Sequence, residues 1–163
     1  MKKNNKIFLI AQNIRSLFNI GALFRCADVF QVDKIYLTGY TAAPKGDIKT
    51  SRQKREIAKV ALGAEKWIAW EKYRHTHLLI PKLKQQGFKI YALETGKETK
   101  NLENFKPSFP CALIVGNEIK GITKTILKLA DKIISIPVRG KKDSLNVGVA
   151  AGIGLYELNR RRK

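Results

Sequence analysis

Short apolar runs alternate along the chain with longer segments in which apolar positions recur every three or four residues. The first pattern predicts strands and the second helices. Lys6 to Ala11 reads as the first strand, and Asn19, a residue type that suits an N-cap, opens a helix running to about Phe30. Lys34 to Gly39 is the second strand, stopped by a Thr/Ala/Pro/Gly loop to about Thr50 that is polar and expected to be mobile. A helix over Ser51 to Leu62, a short strand at Trp67 to Trp70 and a helix over His75 to Gln86, ended by Gly87, come next. Phe88 to Leu93, Cys111 to Val115 and Ile133 to Ile136 are three further strands. A helix over Thr123 to Ala130 separates the last two, and Leu145 to Arg160 forms the closing helix. This alternation predicts an α/β fold, a mostly parallel sheet flanked by helices on both faces.

At 163 residues the chain has the size of one ordinary domain with a single core, read as residues 1–163 without a linker, repeat or low-complexity stretch. Charge narrows its partners. Lys and Arg number 32 against 13 Asp and Glu, and the net charge of +19 exceeds what solubility requires and implies a polyanion. Nucleic acid is the first candidate, because the basic residues are dispersed and form no long amphipathic helix with an aromatic face for a membrane surface. The opening Met1 to Lys6 precedes an apolar run too short for a signal-peptide core or a membrane span, so a cytoplasmic protein is expected. Cys26 and Cys111 sit in apolar surroundings and read as buried thiols, and His75 and His77 have no cysteine near them; no metal is expected. No phosphate-binding Gly-x-x-x-x-Gly-Lys-Ser/Thr loop is present, and Gly152-Ile153-Gly154, inside a helix, reads as close packing rather than a dinucleotide fingerprint.

The segment from Ile136 to Ala150 joins a strand to a helix through a basic polar turn, a place where α/β proteins set backbone donors and short polar side chains against a ligand. Asp143 or Ser144 could equally be a plain N-cap there. Two more segments accompany it in order: Asn19-x-Gly21-x-x-x-Arg25 early, and Gly116-x-Glu118-x-x-Gly121 after a late strand; the closing one carries Ile136-Pro137 and Ser144-Leu145-Asn146-Val147. In that order and spacing they resemble the SpoU (TrmH-like) branch of the SPOUT RNA methyltransferases, from about Asn13 to the terminal helix. Val138 stands where Met is common, and Gly148 where Ser often follows.

The resemblance implies a C-terminal deep trefoil knot, a homodimer built on the first and last helices, and methyl transfer from S-adenosylmethionine to a ribose 2′-hydroxyl of RNA. In that dimer, Leu17, Phe18, Leu155, Tyr156 and Leu158 would be partly interfacial. tRNA is the favoured substrate, with ribosomal RNA, or a non-catalytic RNA-binding or assembly factor, as alternatives; an enzyme of the tRNA wobble position is the nearest rival of similar length. A small-molecule methyltransferase fits poorly with the charge. No appended RNA-binding domain of the kind many relatives carry is expected. By resemblance, Arg25, Asn19, Glu118, Ser144 and Asn146 are catalytic, and Leu93, Thr95, Gly116, Ile136, Ser144 and Leu145 hold the cofactor. Arg15, Lys45, Arg52, Arg55, Arg139, Lys141 and Lys142 would track RNA phosphates, together with Lys49, Lys54 and the Arg160 to Lys163 tail. Glu118 has two readings, a direct role or a carboxylate that fixes the backbone or pairs with Arg25. Gly21 and Arg25, four residues apart, share one helix face, with Gly21 leaving room for a close approach.

Overall fold

The computed structural model describes residues 5–44, 51–96 and 98–162. Met1 to Asn4, the Lys45 to Thr50 part of the polar loop and Lys163 of the tail lie outside the described residues. The chain runs β1 (Ile7–Gln12), α1 (Leu17–Val29), β2 (Lys34–Thr38), α2 (Ser51–Ala61), α3 (Ala64–Trp67), β3 (Trp70–Tyr73) and α4 (Thr76–Gln85). It continues through β4 (Lys89–Leu93), β5 (Lys100–Asn101), β6 (Cys111–Val115), α5 (Lys124–Leu129), β7 (Lys132–Ser135) and α6 (Val147–Arg160). One sheet of order β3-β2-β1-β6-β4-β7-β5 holds all of these strands, and every neighbouring pair is parallel.

β1 and β6 are buried at every position, which is why they read as unbroken apolar runs rather than alternating ones. Successive side chains of one strand enter different cores. Ile7, Leu9 and Ala11 of β1 join Leu23 and Phe24 of α1, Ile57 of α2 and Leu155 of α6. Phe8 and Ile10 face the other side with Leu79 and Ile80 of α4 and Ile126 of α5. The strands' carboxyl ends therefore open on one edge of the sheet between two fixed helix layers, where a parallel sheet places a ligand.

The structure departs from the pattern-based expectations where tertiary contacts outweigh local preference. Ser16, not Asn19, caps α1, its Oγ accepting from the Asn19 amide at 3.3 Å, so Asn19 lies within the helix and its side chain is free for longer-range use. Trp67 ends the short helix α3 and donates its indole N–H to Asp28 Oδ1 at 2.7 Å, and the strand begins only at Trp70, paired with Ile35. Two aromatics around Ile68 and Ala69 imitate a strand; the turn at Gly63 and the Asp28 acceptor decide otherwise. β5 is polar and two residues long, carries no apolar run, and was invisible to periodicity. Asn146, rather than Asp143, Ser144 or a start at Leu145, caps α6, its Oδ1 accepting from Gly148 N at 2.8 Å and Val149 N at 3.3 Å.

Leu155 and Leu158 are core, while Tyr156 on the same helix is exposed; on α1, Phe18 is exposed and Leu17 half-buried. Three arginines of the tail are used within the molecule, Arg160 pairing with Glu157 at 2.9 Å. Arg161 pairs with Glu157 and donates to the Glu103 carbonyl at 2.7 Å, and Arg162 donates to the Gln31 carbonyl at 2.7 Å and Asp33 Oδ2 at 2.9 Å. Among the described residues no helix is long and apolar enough to cross a membrane, and no cluster of three metal-ligating side chains occurs. Cys26 and Cys111 are free thiols, Cys26 half-buried and Cys111 buried.

Candidate active site

The turn that follows β6 is built by its own sequence. Asn117 and Gly121 exchange backbone hydrogen bonds of 3.1 and 2.9 Å, and Asn117 Oδ1 accepts from the amides of Ile119 and Lys120 at 3.0 and 2.8 Å, an Asx turn. Gly121 takes a φ of 66° that favours glycine. Gly116 lies so close to the returning strand that a Cβ there would sit 2.5 Å from Gly121 C and Ile122 N. These glycines serve the tightness of the turn, which in turn fixes the side chain between them.

That side chain is Glu118. Its carboxylate accepts from Arg15 N, from Ser16 N (both 3.0 Å) and from Asn19 Nδ2 at 2.9 Å. Asn19 is buried, and its Oδ1 accepts from Asn146 Nδ2 at 3.0 Å. Three separate motifs thus meet in one hydrogen-bonded chain: the N-terminus of α1, the turn after β6, and the cap of α6. Burial pushes the Glu118 carboxyl up, but the hydrogen bonds from Asn19, Ser16 and Arg15 outweigh it and hold it below the ordinary glutamate range. Glu118 is therefore an anchored carboxylate. It does not pair with Arg25, which is exposed and makes no hydrogen bond or ion pair among the described residues. Gly21 does not leave room for a ligand beside Arg25 either; its Cα faces α2, where a Cβ would sit 2.6 Å from the Ile57 carbonyl.

Beside Glu118 lies a cavity of about 480 Å³ at the carboxyl ends of β4, β6 and β7, within the size of small-ligand sites. Leu93, Thr95, Gly116, Ile136, Ser144 and Leu145 all line it, as does Glu118. Asn19, Asn146 and Arg25 do not line it; the first two reach it only through their bonds to Glu118 and to each other. Ser144 is exposed at the rim, its hydroxyl donating weakly to Asp143 at 3.4 Å. Of the candidate phosphate-tracking residues, Arg15, Arg52, Arg55, Arg139, Lys141 and Lys142 are exposed; Lys45 and Lys49 lie outside the described residues.

Two residues escaped notice in the sequence. Glu94, at the end of β4, accepts from Ile122 N at 2.7 Å and from Thr95 N at 2.9 Å, tying one wall of the cavity to another. Asn117 sends Nδ2 to the Asn13 carbonyl at 3.0 Å and the Tyr40 hydroxyl at 2.8 Å, locking the turn to the loops after β1 and β2. An Asn placed between two glycines of a short turn is the signal that Asx-turn chemistry provides.

The model of the SpoU rRNA Methylase family matches residues 6–156. A tRNA (guanosine(18)-2'-O)-methyltransferase of Aquifex aeolicus is 34% identical over 163 residues, 99% of this chain and 72% of that protein. The solved structure of an A. aeolicus TrmH/SpoU tRNA modifying enzyme superposes with a TM-score of 0.83 at 32% identity, covering 99% of this chain and 77% of the other. A structure described as giving insights into the 2-OH methylation of C/U34 on tRNA shares the fold at 21% identity and a TM-score of 0.73, covering 96% of this chain and 95% of its own.

Proposed function

The chain belongs to the SpoU rRNA Methylase family, and from that membership and the site's geometry we propose that it methylates a ribose 2′-hydroxyl of RNA, tRNA in the first place, using S-adenosylmethionine. The observation that carries the reading is the Glu118–Asn19–Asn146 chain beside the cavity, since a binding-only protein has no need of a pre-set polar cluster next to a small-ligand site. The cavity suits the cofactor: the segments after β4, β6 and β7 form its walls, its volume fits a nucleoside-sized molecule, and Gly116 lies in its lining with no room for a side chain against Gly121 and Ile122. Leu93, Thr95, Gly116, Ile136, Ser144 and Leu145 would hold it. When bound, the sulfonium supplies an activated methyl carbon, leaving the protein to orient the hydroxyl and exclude water.

Arg25 is the residue we assign to the RNA. A guanidinium stays charged in proteins and is a poor general base, but its planar fork grips a phosphate bidentately. Arg25 clamps the phosphate beside the target ribose, and the hydroxyl proton leaves to that phosphate or to solvent as oxygen attacks carbon. Glu118 holds the α1 entrance and, through Asn19, the Asn146 cap of α6 in register, and Ser144 adds a hydroxyl to the cavity lining.

The same reading makes the protein a cytoplasmic homodimer with a threaded end. Phe18 and Val29 of α1 and Val149, Ile153 and Tyr156 of α6 are exposed on two helices that pack together, and such a patch calls for a partner of the same shape. Threading rests on the family membership; α6 lies against Leu93 of β4 and Leu113 of β6, and Arg161 bonds the Glu103 carbonyl of the β4–β6 connection. Exposed Arg52, Arg55, Arg139, Lys141 and Lys142 then give RNA affinity that falls with salt.

Methyl transfer from labelled S-adenosylmethionine to unmodified bulk tRNA and, separately, to ribosomal RNA tests the reading, with alkaline digestion of the product. Alkali-resistant labelled dinucleotides from tRNA are expected. No label in either pool, with RNA still bound, would overturn it.

A further inference from the structure

A second cavity, of about 580 Å³, lies across the Asn117–Lys120 turn from the first and shares three of that turn's residues with it. Arg15, Tyr40, Gln53, Ile119 and Lys120 give it its character. Single exposed tyrosines are ordinary, but Tyr40 is held at both ends while the residue stays 59% exposed: its amide donates to Asn13 Oδ1 at 3.3 Å and its hydroxyl accepts from Asn117 Nδ2 at 2.8 Å. The backbone on either side is fixed too, since Lys72 Nζ donates to the Gly39 and Thr41 carbonyls at 2.5 Å each. Ile119, on the turn, is 76% exposed although its amide is bonded to Asn117 Oδ1. A rigid aromatic face and an aliphatic side chain are thus presented to the same open space at no further ordering cost.

The charged side chains that line that space, among the described residues, are both cations, Arg15 and Lys120. The side chains of Arg15 and Lys120 form no hydrogen bond or ion pair among the described residues, and Arg15 anchors Glu118 through its backbone alone. Among the described residues no acidic side chain lines the cavity, and Gln53 on α2 offers both a donor and an acceptor. An aromatic platform, an apolar cover, free cations and a neutral amide suit an unstacked nucleotide: the base stacks, the cations take phosphates, and the amide meets a base edge.

We infer that this cavity is a base-binding subsite for an unpaired nucleotide of the RNA, stacked on Tyr40 with its phosphates on Arg15 and Lys120, on the far side of the Glu118 turn from the cofactor. The inference rests on the RNA methyltransferase reading and adds a site to it. Since the turn between the cavities carries Glu118, filling one side with RNA bears directly on the wall of the other.

The test measures equilibrium binding of a short fluorescein-labelled single-stranded RNA and of a blunt RNA duplex, for the wild type, Tyr40→Ala, Tyr40→Phe and Arg15→Ala, with S-adenosylmethionine affinity measured on each. Tyr40→Ala is expected to weaken the single strand about tenfold and leave the duplex unchanged, because stacking needs an unpaired base. Tyr40→Phe, which keeps the ring and loses only the bond to Asn117, should bind the single strand within about twofold of the wild type. Arg15→Ala should weaken both RNAs and reduce the salt dependence, with cofactor affinity retained. Equal weakening of strand and duplex by Tyr40→Ala, or no weakening of either, overturns the subsite while methylation of bulk tRNA by the wild type leaves the parent reading standing. A wild type that neither binds nor methylates RNA overturns both.

Discussion

Asn146 Nδ2 donates to Asn19 Oδ1 at 3.0 Å across 127 positions of sequence, so the residue that caps the last helix also holds the buried amide of the first. The two roles use different atoms. Oδ1 of Asn146 accepts the amides of Gly148 and Val149, and only Nδ2 reaches Asn19. Loss of the side chain therefore removes a helix cap and a link of the polar chain that ends on Glu118.

The two losses separate by substitution. Asn146→Ala should cost about 1 kcal/mol of stability, the usual price of a lost cap, lowering the melting temperature by about 2–4 °C. Asn146→Ser restores a capping oxygen without the reach to Asn19, so it should recover most of the melting temperature and little of the methyl-transfer rate. Thermal unfolding and turnover on the same preparations check this; recovery of both by serine would show the Asn19 bond to be idle.

Glu118 gives a pH dependence with a definite sign. Its carboxyl is held below the ordinary glutamate value of 4.5, so its folded pKa lies beneath its unfolded one. The stability it contributes is fully present above the unfolded pKa and is lost as pH falls through the folded one. Wild type and Glu118→Gln should thus differ in urea midpoint by a constant amount from neutral pH down to about 5, and the gap should close below about 4. Asp131 and Glu157 are also depressed, which is why the difference between the two proteins, rather than the wild-type curve alone, isolates Glu118. A gap that widens in acid would reverse the assignment.

Gly116→Ala tests whether the turn after β6 tolerates any side chain at that position. The added Cβ would meet backbone atoms of Gly121 and Ile122 at 2.5 Å, and backbone cannot rotate aside as a flexible side chain does. Either the turn opens, taking Glu118 away from Ser16 and Asn19, or the strand end shifts into the cavity. In both cases S-adenosylmethionine affinity, read by calorimetry, should fall at least about tenfold, with a destabilisation of about 2 kcal/mol or more. Unchanged affinity would mean that this backbone does not shape the cofactor site.

Much of this was legible because the site is made of local chemistry repeated at strand ends. The buried strands β1, β4 and β6 announced themselves as apolar runs, and Glu118 stood out as the one acid within its glycine-bounded turn. What escaped was whatever depends on contacts over long separations. Nothing near Asn19 says that its side chain points toward residues 118 and 146 while Ser16 takes the cap. Nor does anything near Arg161 and Arg162 say that a basic tail is consumed by Glu157, Asp33 and backbone carbonyls. Tyr156 and Leu155 are neighbours in a helix, and only packing separates the exposed ring from the core side chain.

The exposed ring leads to a prediction about assembly. Tyr156 stands edge-on to Phe30 at 6.1 Å between ring centroids and remains 51% exposed, with Ile153 and Val149 on the turns before it. Tyr156→Glu places a charge in the middle of the apolar face and removes only the edge contact with Phe30, so the monomer should fold while the dimer dissociates. Sedimentation equilibrium should show the wild type as a dimer and Tyr156→Glu as a monomer with similar ellipticity. A wild type that is monomeric at all concentrations would sink the assignment of this face.

Arg25 separates stability from turnover most sharply. It is exposed and has no hydrogen-bond or ion-pair partner among the described residues, so substituting it should change stability by less than about 0.5 kcal/mol. It does not line the cofactor cavity, so S-adenosylmethionine affinity should also be retained. If the guanidinium grips a phosphate next to the target ribose, its loss falls on orientation of the hydroxyl in the transition state, and Arg25→Ala should lower kcat by about a hundredfold or more. Arg25→Lys is the informative variant. It keeps the positive charge but replaces the bidentate fork with a point charge, so general attraction for RNA and its salt dependence should survive while kcat stays low. Near-full turnover by the lysine variant would mean that charge alone suffices, and the clamp would have to be given up in favour of simple electrostatic stabilisation of the attacking oxygen.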